Sequence, residues 1–475
     1  MYIALVFIGF FAMFATTDWK RGIYLTVLTA FLQDPLRKVL PGQPPVCIVF
    51  AAIVFAATTI GAFASNAGLD PARITGWRRH LRGPFWLFGF LVIIQSGNSL
   101  VRFENIGVTA LGLLNYSLPL IALMTSYSFF AYGGQVATTR LLQFYTICCG
   151  AALFTVYLEW QGFQSALFGE VGEGVLVHFG DLAANGNTGT FRASEIAAWH
   201  SAMAACVVTI LLTARRITAA RVAVLAVLVT GCLVIGSLTG RRKMVVMVMI
   251  FGLSYVGIQV LLLRRTRLAV LLVTAFGVLL YAWQVTSLDA DRLDVASRTG
   301  EYERYVRRNQ TAFGEIPTRA VDLGLTPVLW AYNWFGWTGG GVGIGTQGVQ
   351  HIADLGDHVG AAEGGLGRIT LELGFPGLLA VGLLVYATSR HIWGVLLVAE
   401  QHSPAMTRLA CGLTSILIAN AASFSVATQA YGDSFIMILL GMILAALLAI
   451  PAMILKTGVA EVRILQTVQP AVEVN

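Results

Sequence analysis

The residues of this chain that could do chemistry gather in three stretches, each rich in arginine. The first is Gly189-Thr-Phe-Arg-Ala-Ser-Glu-Ile-Ala-Ala-Trp-His200, which carries Arg192, Glu195 and His200. The second is Arg241-Arg242-Lys243. The third joins an arginine-bearing segment (Arg298, Arg304, Arg307, Arg308, Arg319) to His358, Glu363, Arg368 and Glu372. A guanidinium is a rigid fork of N–H donors that matches the oxygens of a phosphate in pairs, so these stretches suit a phosphorylated ligand. Two plainer accounts cover some of the same residues. Arg192 and Glu195 could pair at a helix start, and the 298–319 arginines could form a solvated charged face.

Other patterns carry less chemistry. Thr338–Gly348 contains a formal GxGxxG at Gly343, Gly345 and Gly348, but no strand precedes it and no βαβ unit surrounds it, so it reads as a turn that comes close to a neighbour. Asp289-Ala-Asp291 has the spacing of a divalent-cation clamp, and His351, Asp354 and His358 could share a helical face that Gly356 weakens. No cysteine joins either group, so neither a metal nor another cofactor is expected.

The elements that position these residues follow from composition. Of 475 residues, 57% are hydrophobic and 12% charged, about half the charge of a soluble domain. Mean hydropathy is +0.75. Apolar runs recur at 2–17, 22–33, 45–65, 83–99, 106–130, 141–159, 195–213, 219–237, 244–263, 268–285, 367–389, 404–424 and 433–455. Each can cross a hydrocarbon core of about 30 Å as a helix. The expected fold is an all-α polytopic membrane protein of 12 or 13 helices with one large, mainly helical loop. Residues 1–285 form a bundle of about ten helices, 286–366 the loop, and 367–475 the last helices and a short tail. The run 2–17 has no basic residues before it and Asp18, Lys20 and Arg21 after it, so it reads as a retained helix and not a cleaved leader.

Arginine outnumbers lysine 27 to 4 and both sit at helix ends, so the net charge of +7 reflects topology and calls for no nucleic-acid partner. The joints at Lys20/Arg21, Arg73–Arg82, Arg140, Arg215–Arg221 and Arg264–Arg267 are basic, which sets them on the cytoplasmic side of a bacterial inner membrane and the 286–366 loop on the periplasmic side. Arg241, Arg242 and Lys243 break this rule, since they end a span on the outer side. Snorkelling to the interface explains them, and so does an anionic ligand at that surface. Trp330, Tyr332, Trp334, Phe335 and Trp337 mark a segment at the bilayer interface or an aromatic core of the loop. All six cysteines lie in apolar segments and read as packing residues.

These pieces in this order resemble the bacterial O-antigen ligase and O-antigen polymerase superfamily. The matching elements are Arg241 at the outer end of a middle helix, the loop 286–366, the glycine-rich Gly341-Val-Gly-Ile-Gly345 and the closing Glu372-Leu-Gly-Phe-Pro-Gly377, from residue 185 onward. Many members carry a His-Asn pair nine residues before the closing Glu; this chain has Glu363-Gly364 there, and its nearest His is His358. The stretch around Glu363 and the Arg192/Glu195/His200 pattern look more like exopolysaccharide repeat-unit polymerases than ligases.

The resemblance implies a metal-independent glycosyltransferase of the GT-C type. It would transfer an undecaprenyl-diphosphate-linked oligosaccharide to a sugar hydroxyl, with inversion expected. Arg241, Arg242, Arg192 and Arg319 would then neutralise the leaving lipid diphosphate. Either Glu363 or His358 would be the base. Glu195, His200, Arg304 and Arg308 would contact substrate, membrane lipid would surround the site, and a chain-length regulator would be a partner. Two alternatives stay open: a ligase moving a finished glycan to a lipid or protein acceptor, and a flippase or transporter of lipid-linked sugar, which would place its ionisable residues nearer the bilayer midplane.

Overall fold

In the computed structural model the described residues are 2–68, 70–169, 171, 177–179, 182–184, 186–214, 218–241, 243–263, 321, 325–346, 349 and 364–456. The helices are α1 (Tyr2–Thr17), α2 (Trp19–Val39), α3 (Phe50–Ala64), α4 (Arg82–Phe103), α5 (Ile106–Trp160), α6 (Ser194–Thr213), α7 (Ala219–Leu238), α8 (Lys243–Leu263), α9 (Thr326–Phe335), α10 (Gly365–His402), α11 (Pro404–Val426) and α12 (Ser434–Leu448). A short antiparallel hairpin pairs Val177–Phe179 with Leu182–Ala184. Among the described residues eight helices are long and apolar enough to span a bilayer, or nine if Ser434–Leu448 and Ile450–Lys456, bent by 43°, count as one. The chain is therefore an α-helical, multi-pass membrane protein. The expected span at 268–285 and the 286–320 part of the loop lie outside the described residues.

Short polar side chains start five of the twelve helices. Asp18, Asn105, Thr218, Ser403 and Asp433 each accept from a backbone N–H of the first turn of α2, α5, α7, α11 and α12, satisfying donors that have no partner inside the helix. At 55 residues, α5 would run about 80 Å if straight, far more than one membrane thickness. It is broken at Gly134, where φ is 65° and ψ −161°. Tyr24 packs on both Phe129 and Phe144, with ring centroids 5.9 and 5.5 Å away. Fifteen residues of unbroken helix would separate those rings by about 22 Å, so the chain doubles back at Gly134. The expected joint at 131–140 is thus narrowed to one glycine between helical arms.

The contacts sort helix termini into two ends. At one, Lys38 donates to Gly189 O (2.7 Å), Asn187 to Leu238 O (2.9 Å) and Ser434 to Ile48 O (3.2 Å). At the other, Lys456 donates to Tyr132 O (2.8 Å) and Arg408 to Ala214 O (3.2 Å). Between them α6 forms the centre: 83% of its apolar window is buried, against 11% for α7. Ala197, Ala202, Ala204 and Ala205 of α6 are almost fully enclosed, and such small side chains let helices approach closely where no water drives association.

The glycine-rich segment and the closing motif of α10 form one device. Pro376 has no N–H, so the carbonyl of Glu372 lacks its donor four residues on; Gly341 N supplies one at 3.1 Å. Helix α10 breaks at Gly374 (φ 68°), Phe375 N turns to Trp337 O (3.1 Å), and Gly340 N takes over Leu371 O (2.6 Å). The fully buried Glu372 side chain fixes the rest of the turn: its Oε1 accepts from Gly345 N (3.0 Å), Thr346 Oγ1 (3.2 Å) and Arg368 Nε (3.4 Å). Gly343 has φ of 97°, and a Cβ there would fall 2.1 Å from Val108 O. Gly343→Ala combines a left-handed backbone with that collision and is expected to destabilise the protein by about 2–3 kcal/mol; thermal unfolding of the purified protein in detergent measures it.

Candidate functional site

The segment 186–194, which enters α6, has no regular structure of its own and is held by charges from three helices. Glu159 at the end of α5 accepts from Gly169 N (2.9 Å), Thr188 N (2.7 Å) and Gly189 N (2.6 Å). Lys38 of α2 donates to Gly189 O, and Lys38 Nζ lies 3.4 Å from Thr188 Oγ1. Gly189 has φ of 56°, and a Cβ there would meet Thr155 Oγ1 at 2.4 Å, which explains a glycine where the segment crosses α5. The next anchor is Arg192. Its guanidinium lies 2.6 Å from Asp433 Oδ2 and 3.3 Å from Asp34 Oδ1, and its backbone N–H bonds Asp34 Oδ2 at 3.1 Å. Burial by itself would lower the pKa of Arg192, but the two carboxylates outweigh it and hold the group above the ordinary arginine range. Arg192 therefore stays charged, joining α2 to the start of α12.

So anchored, the segment delivers Ser194 and Glu195 to the turn between α7 and α8. Arg241 Nε donates to Ser194 Oγ (3.0 Å), and the Arg241 guanidinium forms an ion pair with Glu195 Oε1. Gly240, with φ of 71°, makes the turn that brings Arg241 there. Glu195 and Arg241 line a small recess with Ala198, Trp199, Met247, Ser423, Ala427, Gln429, Ala430 and Tyr431. Its two aromatic walls are fixed by one residue: Asn420 Oδ1 accepts from Trp199 Nε1 (2.9 Å) and from Tyr431 Oη (3.0 Å). The recess thus combines one ion pair, two rings, the polar side chains of Ser423 and Gln429 and otherwise apolar residues. Pairing with Glu195 holds the guanidinium in one orientation at the wall of the recess.

The structure separates the residues expected to act together. Arg241 and Glu195 meet at the cavity. Arg192 does not pair with Glu195 as a helix-start ion pair would require; it is committed to Asp34 and Asp433, and it is absent from the lining. His200 is enclosed: its ring lies among Phe31, Phe191, Trp199 and Phe435, its Nδ1 is 3.0 Å from Tyr145 Oη, and it too is absent from the lining. Arg368 and Glu372 brace the glycine-rich turn. Arg242, Arg304, Arg308, Arg319, His358 and Glu363 lie outside the described residues, as do Asp289, Asp291, His351 and Asp354.

Sequence reading passed over Asp34, Lys38, Glu159, Asp433, Trp199 and Tyr431. Asp34 and Lys38 did carry a signal, since ionisable residues close to an apolar run are costly unless paired. Their partners lie 150 residues and more away in sequence, so nothing local named them.

Replacing Arg192 by Met would strand two buried carboxylates. Arg192→Met is expected to cost about 3–5 kcal/mol, and Asp433→Asn, which keeps a hydrogen-bonding oxygen, less; unfolding of the two variants side by side checks the order. Comparison of the sequence with protein-family models and with curated proteins finds no match.

Proposed function

We propose that this protein is a glycosyltransferase that polymerises glycan repeat units carried on undecaprenyl diphosphate, at the periplasmic face of a bacterial inner membrane. The single observation that carries the reading is the cavity at one end of the bundle, where Arg241 is held on Glu195 and Ser194 beside the rings of Trp199 and Tyr431. The recess offers both kinds of contact the substrate needs: a fixed cation for phosphate oxygens and aromatic surface for the apolar face of a sugar.

In the proposed reaction the acceptor hydroxyl oxygen bonds to the anomeric carbon as the bond from that carbon to the lipid diphosphate breaks. The bonding electrons leave on the phosphate oxygen, and its charge is met by the guanidinium of Arg241, which spares a divalent cation. The acceptor proton passes to a carboxylate or imidazole, Glu363 or His358. Displacement in one step inverts the anomeric centre. Transition-state stabilisation by one such charge is worth about 3–4 kcal/mol, or roughly 10²–10³ in rate.

Arg241→Ala is expected to abolish polymer while the protein still inserts and folds, and cells should then accumulate single lipid-linked repeat units; polymer of wild-type length in this variant would reduce Arg241 to a structural residue. Gene deletion should give the same single-unit accumulation. Full-length lipid-linked polymer in the deletion strain would replace the polymerase by a ligase. Activity of the purified protein is expected to survive excess chelator, and loss restored by Mn²⁺ would return Asp289 and Asp291 to the mechanism.

A further inference from the structure

At the end of the bundle opposite the cavity, one group of arginines forms no ion pair with any described residue. The connection from α3 to α4 ends in a wide, π-type turn, Trp77–Leu81. The turn is locked in place. Gly76 adopts φ of 78°, and a Cβ there would fall 2.6 Å from His391 Cε1 of α10. Ile74, Trp77 and Leu81 are buried, and Trp77 packs on Phe85 at 4.7 Å between ring centroids. Amide donors of both Arg79 and His80 close on Gly76 O at 3.1 Å.

On this rigid frame Arg78, Arg79 and Arg82 face outward. Helix α10 brings a fourth exposed arginine, Arg390, to the same end, next to His391, whose ring lies 6.0 Å from that of His80. None of the four arginines forms an ion pair or side-chain hydrogen bond with a described residue. Arg73 nearby shows the contrast: it is taken up by Asp70 at 3.5 Å and by Asn66 O. No acidic residue occurs between Asp70 and Glu104, nor between Glu372 and Glu400, so neither element brings a counter-charge of its own.

Below the arginines the surface turns apolar without a step. Helices α4 and α10 pack together through Phe88, Val92, Ile369 and Leu373. Their outward residues, Trp86, Phe90 and Ile93 on α4 and Tyr386 on α10, are exposed in the protein and face the hydrocarbon in a membrane. Trp86 and Tyr386 lie about one helical turn from Arg82 and Arg390, the depth at which aromatic rings settle at a membrane interface.

We propose that Arg78, Arg79, Arg82 and Arg390 form a binding site for the phosphate headgroup of an anionic phospholipid, whose acyl chains lie along α4 and α10. Orientation of the chain needs only that cations be present in a joint. A joint whose backbone is pinned by a left-handed glycine and three buried anchors does more: it presents several guanidinium forks from a fixed backbone, which suits a phosphodiester. The apolar stripe that continues from it selects a lipid over a soluble polyanion. Anionic lipids enrich the cytoplasmic leaflet, the side on which the basic joints set this end.

The test uses full-length protein in lipid nanodiscs of phosphatidylcholine alone or with increasing phosphatidylglycerol. The wild type should melt roughly 3–5 °C higher with phosphatidylglycerol and should retain that lipid through detergent extraction, as read by native mass spectrometry. The triple variant R78Q/R79Q/R82Q, and more so the quadruple variant adding R390Q, should match the wild type in phosphatidylcholine and lose both the shift and the retained lipid. Arginine-to-lysine versions should keep part of the shift. Equal melting of the wild type in the two lipids overturns the proposal whether or not the variants fold, and so does a shift that persists in the quadruple variant. If inorganic phosphate in phosphatidylcholine discs reproduces the shift, the arginines bind a soluble anion and the lipid assignment fails.

Discussion

The buried contact of Arg192 with Asp34 and Asp433 is what the rest of the cavity end depends on. It joins the chain just before α6 to α2 and to the first residue before α12, elements separated by 158 and 241 positions in sequence. Three charges that are costly to bury singly become tolerable together, because each satisfies the others' hydrogen bonds. With Glu159 and Lys38 gripping the same segment, no freedom remains for the start of α6. Glu195 therefore has one place to be, against Arg241. A pocket whose ion pair joins the first turn of α6 to the turn between α7 and α8 needs this kind of outside support to hold its geometry.

The broken helix α10 applies the same logic to backbone groups. Pro376 removes a donor and Gly374 permits the bend, and the carbonyls left over are met by amides of the glycine-rich turn. Glycines at 341 and 343 are there because the turn crosses α4 and α5 too closely for side chains, as the approach of Gly343 to Gly112 and Val108 shows. Motif and break are thus two halves of one structure, and Glu372, fully buried, is its brace.

Charge is used differently at the two ends of the bundle. At the cavity end the described arginines Arg192 and Arg241 are each matched to carboxylates, so their positions are fixed from within. At the opposite end Arg78, Arg79, Arg82 and Arg390 are exposed and have no such partner among the described residues. Paired Arg192 and Arg241 organise the fold, whereas the four exposed arginines make up the proposed lipid site.

The amino-acid sequence by itself determined that this is a helical membrane protein and, to within a few residues, where most of its spans lie. Apolar run length is a local property that the thickness of a bilayer reads directly. It also singled out Arg241 as the cation out of place and Gly341–Gly345 and Glu372–Gly377 as special. What it did not decide is which charges meet. Arg192 and Glu195, three residues apart, looked like natural partners; the tertiary structure gave Arg192 to Asp34 and Asp433 and gave Glu195 to Arg241. His200, a residue type that often does chemistry, was placed in an aromatic cage. Only the folded arrangement could settle these points, because a buried charge takes whichever partner packing brings within reach, and that is set by helix contacts between residues far apart in the chain.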